Sequence, residues 1–267
     1  MTPTWLMELF YREYGETNFP PLIVFHGLMG SSRNWQAAGA DLGRHFKVYC
    51  LDLRNHGQSP HASPHSYEAM REDVFAWMDG MGLSRAHLLG HSMGGKLAMS
   101  IACGHPERVR SLTVVDIVPK AYPSSHDSEY VAMRSIDLEA LPSRTAADRY
   151  LVEAVPDWGK RQFMLTNLAR RSDGVGFRWI IDIEALESNR KEIESSPIGA
   201  ADRYEGPALF LMGGRSEYFD SSDTPLIEQS FPKAEIHILE QSGHNPHFEF
   251  REEFVSRVAN FAKRWEV

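Results

Sequence analysis

His87–Val109 reads HLLGHSMGGKLAMSIACGHPERV. A short apolar run ends in Gly90-His91-Ser92-Met93-Gly94, and a helix-forming pattern follows at once. A strand, a tight turn and a helix with G-x-S-x-G at the corner form the arrangement that lifts a serine hydroxyl out of a strained turn. The residues flanking the serine must be small, because strand and helix crowd together there. The corner also sets backbone N–H groups of a helix N-terminus beside the serine, where they can stabilise an oxyanion. The same five-residue pattern occurs in ordinary turns. Ser92 therefore needs a base, an acid and a second oxyanion donor from the rest of the chain.

Working outward, apolar runs that end in turn residues recur: Pro21–Gly27, Phe46–Gly57, Ala86–Ser92, Val109–Pro119, Pro207–Gly214 and Ala234–His244. Several are almost continuously apolar, as strands covered on both faces are. Helical periodicity lies between them, at Tyr67, Met70, Val74, Trp77, Met78 and Met81, and again at Phe254, Val255, Val258, Phe261, Ala262 and Trp265. The expected class is α/β, a mostly parallel central sheet with helices on both faces. Trp5–Tyr14 reads as one or two extra edge strands. The alternation breaks after Pro119. Four helices are expected there: Ser128–Asp137, Thr145–Ala154, one introduced by Pro156-Asp157 and ending near Arg171, and Glu184–Ser195. The chain thus divides into a first core part (1–118), a helical cap (119–203) and a second core part (204–267).

The 267 residues, with 42% hydrophobic and 24% charged, suit one such domain with an insertion. A net charge of -8 lacks the basic footprint that nucleic acid or an anionic membrane would need. No apolar run approaches the ~20 residues of a membrane span, and the N-terminus carries no secretory pattern. Cys50 and Cys103 read as two reduced thiols, which suits a cytoplasmic protein. No metal-ligand spacing and no cofactor motif is present, so neither a metal nor a cofactor is expected.

The second oxyanion donor is sought after an early strand, in His26-Gly27-Leu28-Met29-Gly30. The natural pair of N–H donors is Leu28 and Met93, and His26 reads as a brace of that loop. In the strand–elbow–helix layout the triad runs serine, acid, histidine, so the base must come late. His244, after a strand and a glycine, can take the Ser92 proton and return it to a leaving group. His247, three residues on, reads as a packing or capping group. The acid has several candidates: Asp116 at the end of the strand after the elbow helix, Glu217 or Asp220 after the penultimate strand, and Glu184 in the cap. A carboxylate ending an apolar strand needs a partner, which favours Asp116. Asp52 and Arg54 read as braces of a polar turn.

The motifs HGLMGSSRNW, DLRNHGQSP, LLGHSMGGK, VVDIVP and SGHNPHFE stand in the order seen in the α/β-hydrolase superfamily. Within it the chain resembles the small YbfF-type esterases and their abhydrolase-domain relatives over nearly its whole length. The resemblance implies hydrolysis of short-to-medium acyl esters or thioesters. It carries over Ser92 as nucleophile, His244 as base and Asp116 as acid, because that group lacks an acid after the penultimate strand. The chain departs from the group in following His244 with Asn245-Pro246 rather than an aromatic.

The leading expectation is a serine carboxylesterase or thioesterase acting on a small-molecule ester, as a monomer or homodimer. Met29 and the cap residues Tyr122, Phe163 and Trp179 are candidates for contact with the acyl chain. Tyr130, Met133, Trp158, Met164 and Phe177 are further apolar cap residues, and each of these side chains can instead pack the cap's own core. The same three residues would also serve a C–C bond hydrolase or a cofactor-free perhydrolase, and a ligand-sensing module is the remaining alternative.

Overall fold

The computed structural model describes residues 7–123 and 126–266. Trp5 lies outside them, and the edge expectation is met by one strand, β1 (Tyr11–Tyr14). Then follow β2 (Pro21–Phe25), α1 (Gln36–Leu42), β3 (Lys47–Leu51), α2 (Tyr67–Gly80), β4 (Ala86–His91), α3 (Met93–Gly104) and β5 (Val109–Val115). The strand residues of β3 and β4 are buried along their whole length, which explains why their sequence is not alternating. α2 starts where the Ser66 hydroxyl accepts the Ala69 N–H at 3.1 Å, and it buries Met70, Val74, Trp77 and Met78.

The segment after β5 holds α4 (Asp127–Arg134), α5 (Arg144–Leu151), α6 (Trp158–Leu165), β6 (Leu168–Arg170), β7 (Phe177–Trp179), α7 (Ile183–Ser188) and α8 (Arg190–Glu194). The expectation of helices alone needs correction here, since β6 and β7 form a short antiparallel pair. The third helix stops at Leu165 rather than near Arg171. The Thr166 hydroxyl donates to Phe163 O at 2.6 Å and the Asn167 amide to Met164 O at 3.3 Å, so side chains take the carbonyls that a longer helix would use. The fourth helix is split at Asn189, whose amide donates to Ala185 O at 2.8 Å.

β8 (Ala208–Gly213), α9 (Thr224–Ser230), β9 (Ala234–Leu239), α10 (Pro246–Glu249) and α11 (Arg251–Lys263) complete the chain. The seven-stranded sheet has the order β1-β3-β2-β4-β5-β8-β9, with only β1 antiparallel to its neighbour. One apolar cluster fills the face under α2, α3 and the inserted segment, and a second fills the face under α1 and α11. The order reverses between β2 and β4, so the loops leaving these two strands open the crevice where sheets of this kind place ligands. Among the described residues no helix is long and apolar enough to cross a membrane. Both cysteines are free thiols, Cys50 buried and Cys103 half-buried.

Candidate active site

At the corner between β4 and α3, Ser92 has φ 51° and ψ -119°, a conformation that a non-glycine residue rarely adopts. The strain is held by packing. The Ser92 N–H donates to Val115 O at 3.0 Å. A Cβ on Gly94 would lie 2.5 Å from Phe25 O, and one on Gly90 would run into the Gly94 carbonyl. The small residues of the pattern are thus demanded by the approach of helix to strand. Met93 is the first residue of α3, so its N–H is one of the donors that a helix start leaves without an intrahelical acceptor.

The loop after β2 lies against this corner. A Cβ on Gly27 would be 3.2 Å from Ser92 Cβ, and Leu28 follows directly. Gly30 N–H donates to Gly27 O at 2.9 Å, closing a four-residue turn in which Met29 has φ 58°. His26 braces the loop: its Nδ1–H donates to Gly27 O at 2.8 Å and its Nε2 accepts the Leu53 N–H at 3.0 Å. Burial pushes this imidazole down to about 4, so it stays neutral. The neighbouring turn is braced as its sequence suggests. Asp52 accepts N–H bonds from Ser32 at 2.6 Å and Gln58 at 2.8 Å, and Arg54 grips Asp73 with two nitrogens at 2.5 and 2.7 Å.

On the other side of the crevice, Asp116 follows β5 with φ 50° and a side chain closed off from solvent. Its Oδ1 accepts the Gly213 N–H at 2.8 Å. Its Oδ2 accepts the His244 Nδ1–H at 2.6 Å and the Ser216 hydroxyl. A neutral His244 with Nδ1 as donor carries its lone pair on Nε2. The loop that carries His244 is fastened to the elbow through the residue before Ser92, since His91 Nε2–H donates to His244 O at 2.8 Å. Burial holds His91 well below its usual range, and the nearby His244 and His247 act in the same direction. Tyr218 stacks on the His244 ring with centroids 4.0 Å apart. The Tyr122 hydroxyl donates to Tyr218 O at 2.7 Å.

The other acid candidates lie elsewhere. Glu217, Asp220 and Glu184 are exposed; Asp220 accepts the Ser222 N–H at the start of a turn, and Glu184 sits in the first turn of α7. His247 is buried and stacked on Trp35 with centroids 4.1 Å apart; desolvation pushes it down to about 3. Met29 is buried and Tyr122, Phe163 and Trp179 are half-buried, all packed in the main apolar cluster. The Tyr122 hydroxyl is engaged by Tyr218 and by the Val118 N–H, and Trp179 Nε1–H donates to Met133 O at 3.1 Å. Tyr130, Met133, Met164 and Phe177 are core residues of this cluster, while Trp158 is exposed. Among the described residues no group of three or more His, Cys, Asp or Glu could hold a metal ion.

Sequence reasoning missed Tyr218, Lys96 and Asn167, and saw Ser216 only as the residue standing where an acid is sought after the penultimate strand. Lys96, one turn after Ser92 and almost fully buried, donates to the carbonyls of Ile193, Glu194 and Ser195 at 3.2, 3.0 and 2.6 Å. Burial pushes its ammonium down to about 8. A lysine on the otherwise apolar helix after the elbow was the one available signal for it.

A sequence profile of the α/β hydrolase fold matches residues 20–167. The mouse sn-1-specific diacylglycerol lipase ABHD11 is 37% identical over 257 residues, spanning 92% of this chain and 82% of that protein. Esterase YbfF of Escherichia coli is 29% identical over 236 residues, spanning 87% and 89%. A solved structure described as a marine microorganism esterase superposes with a TM-score of 0.91 at 38% identity, over 96% of this chain and 99% of that one.

Proposed function

The chain belongs to the α/β-hydrolase family, and from that premise we propose that it is a serine hydrolase cleaving carboxylic esters or thioesters of short-to-medium acyl groups. The observation that carries the reading is the 2.6 Å bond from His244 to the buried Asp116, at the strand ends that also present Ser92. Ser92 Oγ attacks the acyl carbonyl while His244 Nε2 takes its proton, and Asp116 holds the imidazole in the required tautomer and stabilises the cation that forms. The Leu28 and Met93 N–H groups receive the oxyanion. His244 passes the proton to the leaving alcohol or thiol, and water then frees the acyl-enzyme by the same steps. The relatives' printed names, a diacylglycerol lipase and an esterase, agree with ester chemistry. Segment 119–203 acts as a cap over this site. Two free thiols suit a reducing compartment such as the cytoplasm.

The test is turnover of p-nitrophenyl acetate and longer acyl esters, with Ser92→Ala and Asp116→Asn beside the wild type. Ser92→Ala is expected to abolish turnover and labelling by a fluorophosphonate. Asp116→Asn should lower kcat by about 10⁴-fold with the fold intact. Wild-type protein inert to every ester and to the fluorophosphonate would refute the reading and favour the ligand-sensing alternative. Near-normal kcat in Asp116→Asn would move the acid to another carboxylate.

A further inference from the structure

The two peptide groups that flank Met29 are each gripped by a side chain, and the grips come from different parts of the molecule. Met29 is the third residue of the Gly27–Gly30 turn, and its φ of 58° is a conformation that L-residues leave unless something holds them there. On the core side, His56 Nε2 accepts the Met29 N–H at 3.2 Å. The tautomer is set by the other nitrogen, whose Nδ1–H donates to Arg54 O at 3.0 Å. His56 has no exposed surface, and burial keeps it neutral, with His26 adding to the effect. On the cap side, the Asn167 amide donates to Met29 O at 2.7 Å across 138 residues of sequence. Asn167 is itself 1% exposed. Its second bond, to Met164 O, and the Ile180 N–H donated to its backbone oxygen at 2.9 Å tie it to the end of α6 and to the chain after β7.

We propose that His56 and Asn167 are positioning residues for the oxyanion site: together they hold the two peptides flanking Met29 so that Leu28, and with it the Leu28 N–H, stays in place beside Ser92. A strained turn with one grip removed relaxes by rotating the Leu28–Met29 and Met29–Gly30 peptides on either side of its left-handed residue; Leu28 is carried with the first of these, and its N–H is displaced from its aim. The cap, through Asn167, is then part of the machinery that stabilises developing charge. Displacing it costs turnover and leaves substrate affinity in place. The inference rests on the ester-hydrolase reading above, with Leu28 as an oxyanion donor.

The experiment compares wild type with Asn167→Ala, His56→Leu and His56→Gln, all normalised to the Ser92 that a fluorophosphonate titrates at completion. Three quantities are read for p-nitrophenyl butyrate hydrolysis: kcat, KM, and Ki for a trifluoromethyl ketone whose tetrahedral adduct carries an oxyanion. For Asn167→Ala and His56→Leu, kcat should fall about 10- to 100-fold with KM within about twofold, and Ki should rise by the same factor as kcat/KM falls. His56→Gln, which can still offer an oxygen to the Met29 N–H, should recover part of the loss. Asn167→Ala keeps the test decisive if His56→Leu does not fold. Two outcomes overturn the proposal. One is activity loss that disappears on normalisation, which marks a purely structural role. The other is a rise in KM with kcat and Ki unchanged, which marks a substrate contact. Wild-type enzyme that the fluorophosphonate does not label removes the ester-hydrolase premise instead, and the proposal with it.

Discussion

Around Ser92 the chain is fixed by main chain against main chain, whereas in segment 119–203 it is fixed by long cations reaching carbonyl oxygens. In the first region the Ser92 N–H meets Val115 O, the Asp116 N–H meets Leu211 O, and parallel registers run unbroken from β5 to β9. In the second, Arg144 donates to Leu165 O and Leu168 O at 2.7 and 2.5 Å. Arg161 donates to Val155 O and Pro156 O at 2.9 and 2.8 Å and to Asp148. Among the described residues, Val131, Tyr150, Val152, Trp158 and Val175 of this segment are large apolar side chains left exposed. A ladder asks only for apolar pattern and small residues at the crossings, and it spreads its stability over many groups. A cation on a helix end concentrates stability in one side chain. The core should therefore be intolerant of added atoms and the cap intolerant of lost charges.

The largest effect should come from adding one methyl group to the core. Gly94→Ala puts a Cβ 2.5 Å from a main-chain oxygen that cannot move without opening the sheet. A loss of about 3 kcal/mol or more is expected in urea unfolding, and a loss below about 1 kcal/mol would break the comparison. Next comes Arg161→Met, which strands the buried Val155 carbonyl, releases that of Pro156 and leaves Asp148 with the Gln162 amide alone. About 2 kcal/mol is expected, felt first as faster proteolysis between residues 140 and 170 while the sheet stays protected. Cleavage spread evenly over the chain would show that cap and core are one cooperative unit.

An effect that is absent at neutral pH and appears only in acid belongs to His247, locked neutral against Trp35. Its folded-state value lies near 3 and its unfolded value near the ordinary 6.5, so above about pH 6.5 it contributes no pH dependence. Below that, the unfolded chain takes up a proton that the folded chain refuses, and stability is lost as pH falls toward 3. His247→Phe keeps the ring stack and removes this proton. Between pH 6 and 4 the variant should lose stability more slowly than wild type by about 1.4 kcal/mol per pH unit. Parallel curves would assign the acid loss to other buried histidines. The smallest effect carries the opposite sign. Gly159→Ala adds its Cβ in the first turn of α6, 3.4 Å from Asp157 Oδ1 in ordinary contact, and should stabilise the protein by about 0.5–1 kcal/mol.

The same contrast explains what could be read from the chain. Strands buried on both faces write themselves as apolar runs, and the elbow writes itself as glycines around Ser92, because both are set by neighbours close in sequence. The ends of α6 and the split at Asn189 are set by single amide and hydroxyl side chains that compete with the helix, and helical periodicity does not record that. Four acidic positions vied for His244 because strand-end geometry joins residues 128 apart, and only the closed sheet brings Asp116 to the imidazole while Glu184, Glu217 and Asp220 are exposed. Asn167 carries no local signature, and Lys96 only that of a cation on a largely apolar helix. Their roles exist only once the inserted segment is folded over the elbow helix.

The meeting of Asp116 with Ser216 has a consequence for where a charge can be placed. These two side chains hang from different strands, one at the end of β5 and one in the loop after β8, yet their oxygens touch at the same point beside His244 Nδ1. The scaffold therefore offers two addresses for one negative charge. Exchanging the two residue types between positions 116 and 216 would keep a carboxylate near the same imidazole without moving the main chain at Ser92 or His244. The hydroxyl at 216 thus marks a second strand end from which a side chain reaches the oxygen that faces the imidazole.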